Sequence, residues 1–451
     1  MVVLPYTVAF LLLSFLQTVK IANSQSFIGI NYGQVADNLP PPSSTAKLLQ
    51  STSIQMVRLY GSDPAIIKAL ANTGIGIVIG TANGDIPGLA SDPNFAKSWI
   101  NTNVLPFYPA SNIILITVGN EVMTSNDQNL MNKLLPAMQN VQNALNDASL
   151  GGKIKVSTVH SMGVLKQSEP PSSGSFDPSY GDLMKGLLEF NSANGSPFAI
   201  NPYPYFAYRS DTRPETLAFC LFQPNAGRMD GNTKIKYMNM FDAQVDAVYS
   251  ALNSMGFKNV EIVVAETGWP YKGDDNEVGP SIENAKAYNG NLIAHLRSLV
   301  GTPLMPGESV DTYLFAFYDE DLIKPGPGSE RSSGLFKTGV TMVYDVGLST
   351  SSQIQAPAAA PQPSPAAATT TTTTTTTTIT SNSNSSTSTS TSTSTGTGTS
   401  TSTSTNTVNI SIGSSSGSGS KVYLIRIFNL GLLYGFMGLS LICLFFYDLQ
   451  I

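Results

Sequence analysis

The sequence predicts an α/β fold, a closed (β/α)8 TIM barrel, on three observations. Eight short segments that are apolar along most of their length recur through residues 25–349. Stretches of helical period separate them, and polar residues collect at their C-terminal ends. A strand apolar on both faces is one buried on both faces, which parallel sheets require.

The eight segments are, in order, FIGINYG, IQMVRLYG, GIVIGTANG, NIILITVGNEV, IKVSTVHS, FAINPYPYF, EIVVAETGWP and VDTYLFAFYDED. Between them PAIIKALANTG and NLMNKLLPAMQNVQNALNDA place apolar residues three and four apart and end on Gly or Asn, as helices do. Trp99, in the helical NFAKSWINTNV, is expected in the core. A doubly wound open sheet also alternates strands and helices. It would follow its first strand with a Gly-rich phosphate turn, whereas GINYGQVADNLPPP has the wrong spacing and three prolines.

The ends of the chain lie outside that pattern. Residues 1–24 hold the apolar VAFLLLSFL followed by small residues at Ala22 and Ser24, a secretory signal peptide cleaved before Gln25; a membrane anchor needs a longer apolar run. Residues 350–413 are rich in Thr, Ser and Pro, without a charge between Asp345 and Lys421, and are expected to form a disordered, O-glycosylated stalk. Residues 414–451 run from small residues through a short spacer to the apolar IFNLGLLYGFMGLSLICLFFY, the pattern of a GPI-attachment signal whose tail is removed. The attachment residue is expected among residues 414–418, with Ser414, Ser415 and Ser416 foremost. A transmembrane helix would place Lys421 and Arg426 outside, against the positive-inside rule. The chain is therefore expected at the outer face of the plasma membrane, facing the wall, as a monomer.

Of the two cysteines, Cys443 departs with the tail, so Cys220 is expected as a buried apolar residue without a disulfide. N-glycosylation sequons stand at Asn194, Asn384 and Asn409, the first weakened by the proline after it. The net charge of −6, with no basic block, argues against nucleic acid as a partner.

Active sites of such barrels sit at the C-terminal ends of strands. Those ends carry Tyr32, Tyr60, Asn120 with Glu121, His160, Tyr203 with Tyr205, Glu266 with Trp269, and residues 319–321. Carboxylates and aromatics with few cations suit a neutral, oxygen-rich ring ligand, a sugar chain. Glu121 ends the fourth strand and Glu266 the seventh, 145 residues later (266 − 121). Glycoside hydrolysis needs such a pair: one carboxyl to protonate the leaving oxygen, one carboxylate to attack or to activate water. Two rim glutamates can instead bind a metal or pair with cations. With only two histidines in the chain and no ligand spacing around them, no metal or cofactor is expected.

The domain resembles plant glycoside hydrolase family 17, the endo-β-1,3-glucanases, through a series of motifs in order. They are IGINYGQVADNLP, VRLYGSDP, VGNEV, KVSTVH, NPYPYFAY, LFQPNAG, FDAQVDAVYSAL, AETGWP, AYNGNL and ERSSGLF. It also resembles the anchored members with signal, stalk and GPI tail; the Cys-rich carbohydrate-binding module of many relatives is absent. The resemblance implies that Glu121 is the proton donor, Glu266 the nucleophile and the reaction retaining. It suggests a supporting shell of Tyr60, Asn120 and Tyr203, with Trp269 either stacking on a sugar or packing under the next loop. In the last strand the family typically reads FNENLKPGPTSERNYGLF. Here Glu320, Lys324 and Glu330 match, Asp319 replaces the Asn, one residue is added near Leu322, and Ser332 and Ser333 stand where an aromatic is usual. Altered affinity for the chain is expected from those changes. A transglycosylase and a non-catalytic glucan-binding protein remain as other readings.

Overall fold

The computed structural model describes residues 27–323 and 326–350. Eight parallel strands close into a barrel: β1 (Ile28–Tyr32), β2 (Met56–Leu59), β3 (Gly76–Thr81), β4 (Asn112–Asn120), β5 (Lys155–Ser161), β6 (Phe198–Asn201), β7 (Ile262–Thr267) and β8 (Thr312–Leu314). Each pairs with its neighbour in sequence, and β1 closes the ring on β8 through Ile28–Thr312, Gly29–Tyr313 and Ile30–Leu314. The barrel expectation holds, with each strand inside a segment read from the sequence. The stalk, the signal peptide and the apolar tail lie outside the described residues.

Alternation divides each strand between two environments. In β7, Ile262 and Val264 pack into the large cluster shared with the helices, while Val263 and Ala265 belong to two small clusters. Those small clusters, Val78 with Leu115, Val263 and Tyr313, and Val159 with Ala199 and Ala265, fill the barrel in layers.

The outer layer follows from capped, amphipathic helices. The Asp63 carboxylate accepts the Ala65 and Ile66 N–H groups at 2.8 and 3.0 Å, and Pro64 begins α1 (Pro64–Ala69) where no N–H is needed. Asp127 caps α2 (Gln128–Asp147) at the Leu130 N–H, 3.0 Å. That helix buries Met131, Leu134, Met138, Val141 and Leu145, all on one stripe; cutting Leu134 back to Ala costs ~2–5 kcal/mol. Ser281 caps α3 (Ile282–Ser298), which lays Tyr288, Leu292 and Leu296 against the sheet.

Two strands are shorter than their apolar segments. β6 stops at Asn201 because Pro202 has no N–H for a ladder, and Pro204 opens a short helix, Pro204–Ser210. Beyond Leu314 the chain leaves the β8 ladder: Phe315, Ala316 and Phe317 donate in turn to Thr267, Ser333 and Asn31. Cys220 is buried, as expected, and its thiol is pushed up to about 12 by burial. Trp99 packs half-buried against the main core.

Candidate active site

Both mouth glutamates owe their direction to a break in strand alternation. In β4, Ile116 and Val118 face the helices, so an unbroken strand would turn Asn120 outward as well. Instead the register with β5 shifts between Thr117 and Asn120, and Gly119 takes φ +70°. A side chain there would collide with Val122, Asn83 and Ile86, at 2.7–2.8 Å from an added Cβ. The Asn83 side chain clamps the displaced peptide, accepting the Asn120 N–H at 2.8 Å and donating to the Asn120 carbonyl at 3.0 Å.

Glu121 follows in the left-handed region, φ 54°, ψ 29°, which costs a non-glycine residue on the order of 1 kcal/mol. The Glu121 N–H donates to the Val159 carbonyl at 2.8 Å and holds the turn. In β7 the shift falls between Val264 and Thr267. Thr267 thereby meets the Tyr288 hydroxyl on α3, and Glu266 swings into the barrel mouth.

The two carboxylates have opposite surroundings. Glu266 is 7% exposed, and its Oε1 accepts from Arg58 Nη1 at 2.7 Å, its Oε2 from the Tyr203 hydroxyl at 2.9 Å. The carboxylate thus sits between a guanidinium and a phenol. Glu121, half-buried, accepts from Asn201 Nδ2 at 2.7 Å through Oε1. Burial raises its pKa above the ordinary carboxylate value; the Asn201 bond opposes this, the Glu266 charge adds to it and Arg58 subtracts.

Arg58 organises the centre and was missed in the sequence. It is 1% exposed inside the barrel; Nη1 donates to Asn31 Oδ1 at 3.0 Å as well as to Glu266, and Nη2 donates to Asn120 Oδ1 at 2.8 Å. The signal was available: a cation in the middle of the apolar run MVRL has no place in a barrel without a carboxylate to meet. Asn201, the last residue of FAIN, was missed as well.

The other expected residues divide. The Tyr60 ring lies 4.5 Å from the Arg58 guanidinium, with its hydroxyl 3.5 Å from Asn31 Oδ1, and lines with Asn120 and Asn83 a cavity of about 340 Å³. Tyr203, Glu330, Ile323 and Ser333 line a second cavity of about 280 Å³ with both glutamates. Glu320 is buried beside Gly33, accepting the Val35 N–H at 2.9 Å; burial raises its pKa. Lys324, Asn384, Asn409, Ser414, Ser415 and Ser416 lie outside the described residues.

Trp269 does not face the cleft. It is fully buried, donates from Nε1 to the Gly279 carbonyl at 2.9 Å and packs on Tyr205, Tyr208 and Tyr288, so stacking on a sugar is excluded and packing under the loop is the outcome. His160 points the other way from the mouth, stacked on Phe198 at 4.6 Å, with burial lowering its pKa to about 3. Tyr32 packs on Phe317 and Tyr318 behind the strand. Asp319, at the position of the usual Asn, accepts the Tyr271 hydroxyl and the Gly334 N–H and ties two loops together.

Comparison with known proteins agrees with this arrangement. The model of the glycosyl hydrolases family 17 matches residues 28–348. Glucan endo-1,3-beta-glucosidase 7 of Arabidopsis thaliana is 74% identical over 343 residues, 76% of this chain and 68% of the relative. A glucan endo-1,3-beta-D-glucosidase of Olea europaea is 67% identical over 76% of this chain and 75% of the relative. Among solved structures, the β-1,3-glucanase and pollen allergen CJP38 of Cryptomeria japonica is 41% identical with a TM-score of 0.68, over 72% of this chain and 99% of that one. The barrel, the paired glutamates at its mouth and the match over nearly the whole described region place this chain in glycosyl hydrolases family 17.

Proposed function

We propose that the chain is a retaining endo-hydrolase of (1→3)-β-D-glucosidic linkages in β-1,3-glucan, callose in a plant wall. The observation that supports it best is the asymmetry of the carboxylates in one cleft: Glu266 between a cation and a phenol, Glu121 held by one amide with its pKa raised by burial. The neutral Glu121 carboxyl gives its proton to the glycosidic oxygen as that bond breaks, while a Glu266 oxygen bonds to the anomeric carbon. Glu121, now a carboxylate, takes a proton from water; the hydroxide oxygen displaces Glu266 and both groups return to their starting states. As Glu266 leaves, Arg58 meets its charge and the Tyr203 hydroxyl donates to it. Retention calls for the two carboxyls to lie about 5–5.5 Å apart.

Asn120 is suited to the sugar 2-hydroxyl: Arg58 fixes its oxygen, which aims the amide nitrogen into the cavity it lines. Tyr60, Glu320, Lys324 and Glu330 complete the binding shell in this reading. Placement at the outer plasma membrane, with a GPI anchor near Ser414, rests on the sequence of the two ends. Among the described residues, Asn194 is a poor acceptor, since its amide donates to the Phe190 carbonyl and Ser196 is buried.

Product lengths from a linear β-1,3-glucan test the activity. Mixed short chains appearing early support internal cutting by water. Chains longer than the substrate would shift the reading to transfer onto a sugar hydroxyl. Release of the protein from membranes by a phosphatidylinositol-specific phospholipase tests the anchor, and retention after treatment would remove it.

A further inference from the structure

The loops after β7 and β8 are joined at the edge of the cleft by two carboxylates. Asp274 Oδ2 accepts the Gly328 N–H at 2.8 Å. Glu277 Oε2 accepts the Ser329 N–H at 2.9 Å and the Asp274 N–H of its own loop at 2.8 Å, while Oε1 accepts the Ser329 hydroxyl. Gly328 and Ser329 open a single 3₁₀ turn, Gly328–Arg331, whose first N–H groups find no partner within it. The neighbouring loop supplies both acceptors. The fit leaves no slack: a Cβ on Gly328 would stand 2.5 Å from Asp274 Oδ1. Burial works to raise the Glu277 pKa, but the donations from Ser329 and Asp274 outweigh it and leave the group below the usual carboxylate value.

What this junction holds is a wall of the cleft. Ser329, Glu330 and Ser333 line the cavity that contains Glu121 and Glu266. The Ser333 hydroxyl donates to the Ser329 carbonyl at 3.4 Å, so the turn also sets Ser333. Asp274 itself is exposed and, like Glu277, makes no hydrogen bond to either catalytic carboxylate among the described residues.

We propose that Asp274 and Glu277 are positioning residues, which latch the turn at Gly328 and Ser329 so that Glu330 and Ser333 meet the bound glucan chain. The proposal rests on the glucanase reading for its substrate. Because the latch touches the wall and not the reacting carboxyls, it governs chain binding more than bond cleavage.

The full chain and its Glu277→Ala, Glu277→Gln and Asp274→Ala variants are compared on linear β-1,3-glucan. For Glu277→Ala the expected result is a KM about tenfold higher with kcat within about twofold, a split that marks lost binding. Glu277→Gln, which keeps one acceptor oxygen, recovers part of the loss. If Glu277→Ala does not fold, the exposed Asp274→Ala decides: a KM raised about threefold at constant kcat supports the latch. Unchanged KM in the folded variants, or a fall in kcat alone, overturns it. Should the parent release nothing from glucan, the glucanase reading fails separately, and amide exchange of residues 330–333 judges the latch. Faster exchange in the variants supports it; unchanged exchange refutes it.

Discussion

The two ends of the barrel both carry carboxylates, and they differ in what meets them. At the mouth, Glu266 faces Arg58 and Tyr203, and Glu121 faces Asn201. At the opposite end, Glu261 precedes β7 and Asp311 precedes β8, with the Phe27 N–H at 2.9 Å as a donor to Asp311. Burial raises the pKa of both, and Asp311 reaches about 7, the Phe27 N–H opposing and Glu261 adding. The larger cavity is also at that end, about 840 Å³ against about 280 Å³ around the glutamate pair. Neither volume nor a shifted carboxyl marks the active site. Convergent donors on a pair of carboxylates do.

Four changes break or sharpen that contrast. Removing the nucleophile, Glu266→Ala, has the largest effect: kcat on β-1,3-glucan falls by at least about 10⁴-fold with the fold intact by circular dichroism. Glu121→Gln lowers kcat by about 10²–10⁴-fold. In the parent, kcat declines on the alkaline side as pH passes the raised pKa of Glu121, because the acid form is consumed; stopped assays across pH read that limb.

Arg58→Met removes the cation that Glu266 meets in a buried position. It destabilises the domain by about 3–5 kcal/mol in denaturant unfolding, along with a loss of activity. At the other end, Asp311→Asn leaves kcat unchanged and alters only the pH dependence of unfolding. The native Asp311 carboxyl binds its proton more tightly than the unfolded one, so the parent loses stability as pH rises from about 4 to about 7. The variant loses that slope because an amide does not titrate, while its oxygen still accepts the Phe27 N–H.

The barrel was legible because strands buried on both faces leave an unmistakable apolar run, as in ITVG before Glu121. The glutamate pair was legible because carboxyls do not end such strands without a use. Arg58 left a signal, a cation inside the apolar MVRL, but that residue alone names no partner until closure of the ring brings Glu266 to it. His160 and Trp269 failed for a related reason. Position at a strand end gives no direction, and a one-residue shift of register separates a side chain in the mouth from one beneath the helices. The bulges that turn Asn120 and Glu266 inward have only Gly119 as a visible trace.

The central claim is that two carboxyls with opposite surroundings perform a double displacement. Time-resolved NMR of the anomers released from a linear β-1,3-glucan tests it most directly. The account predicts the β-anomer first, followed by slow mutarotation. The α-anomer appearing first would mean inversion, and would contradict the assignment of Glu266 as nucleophile.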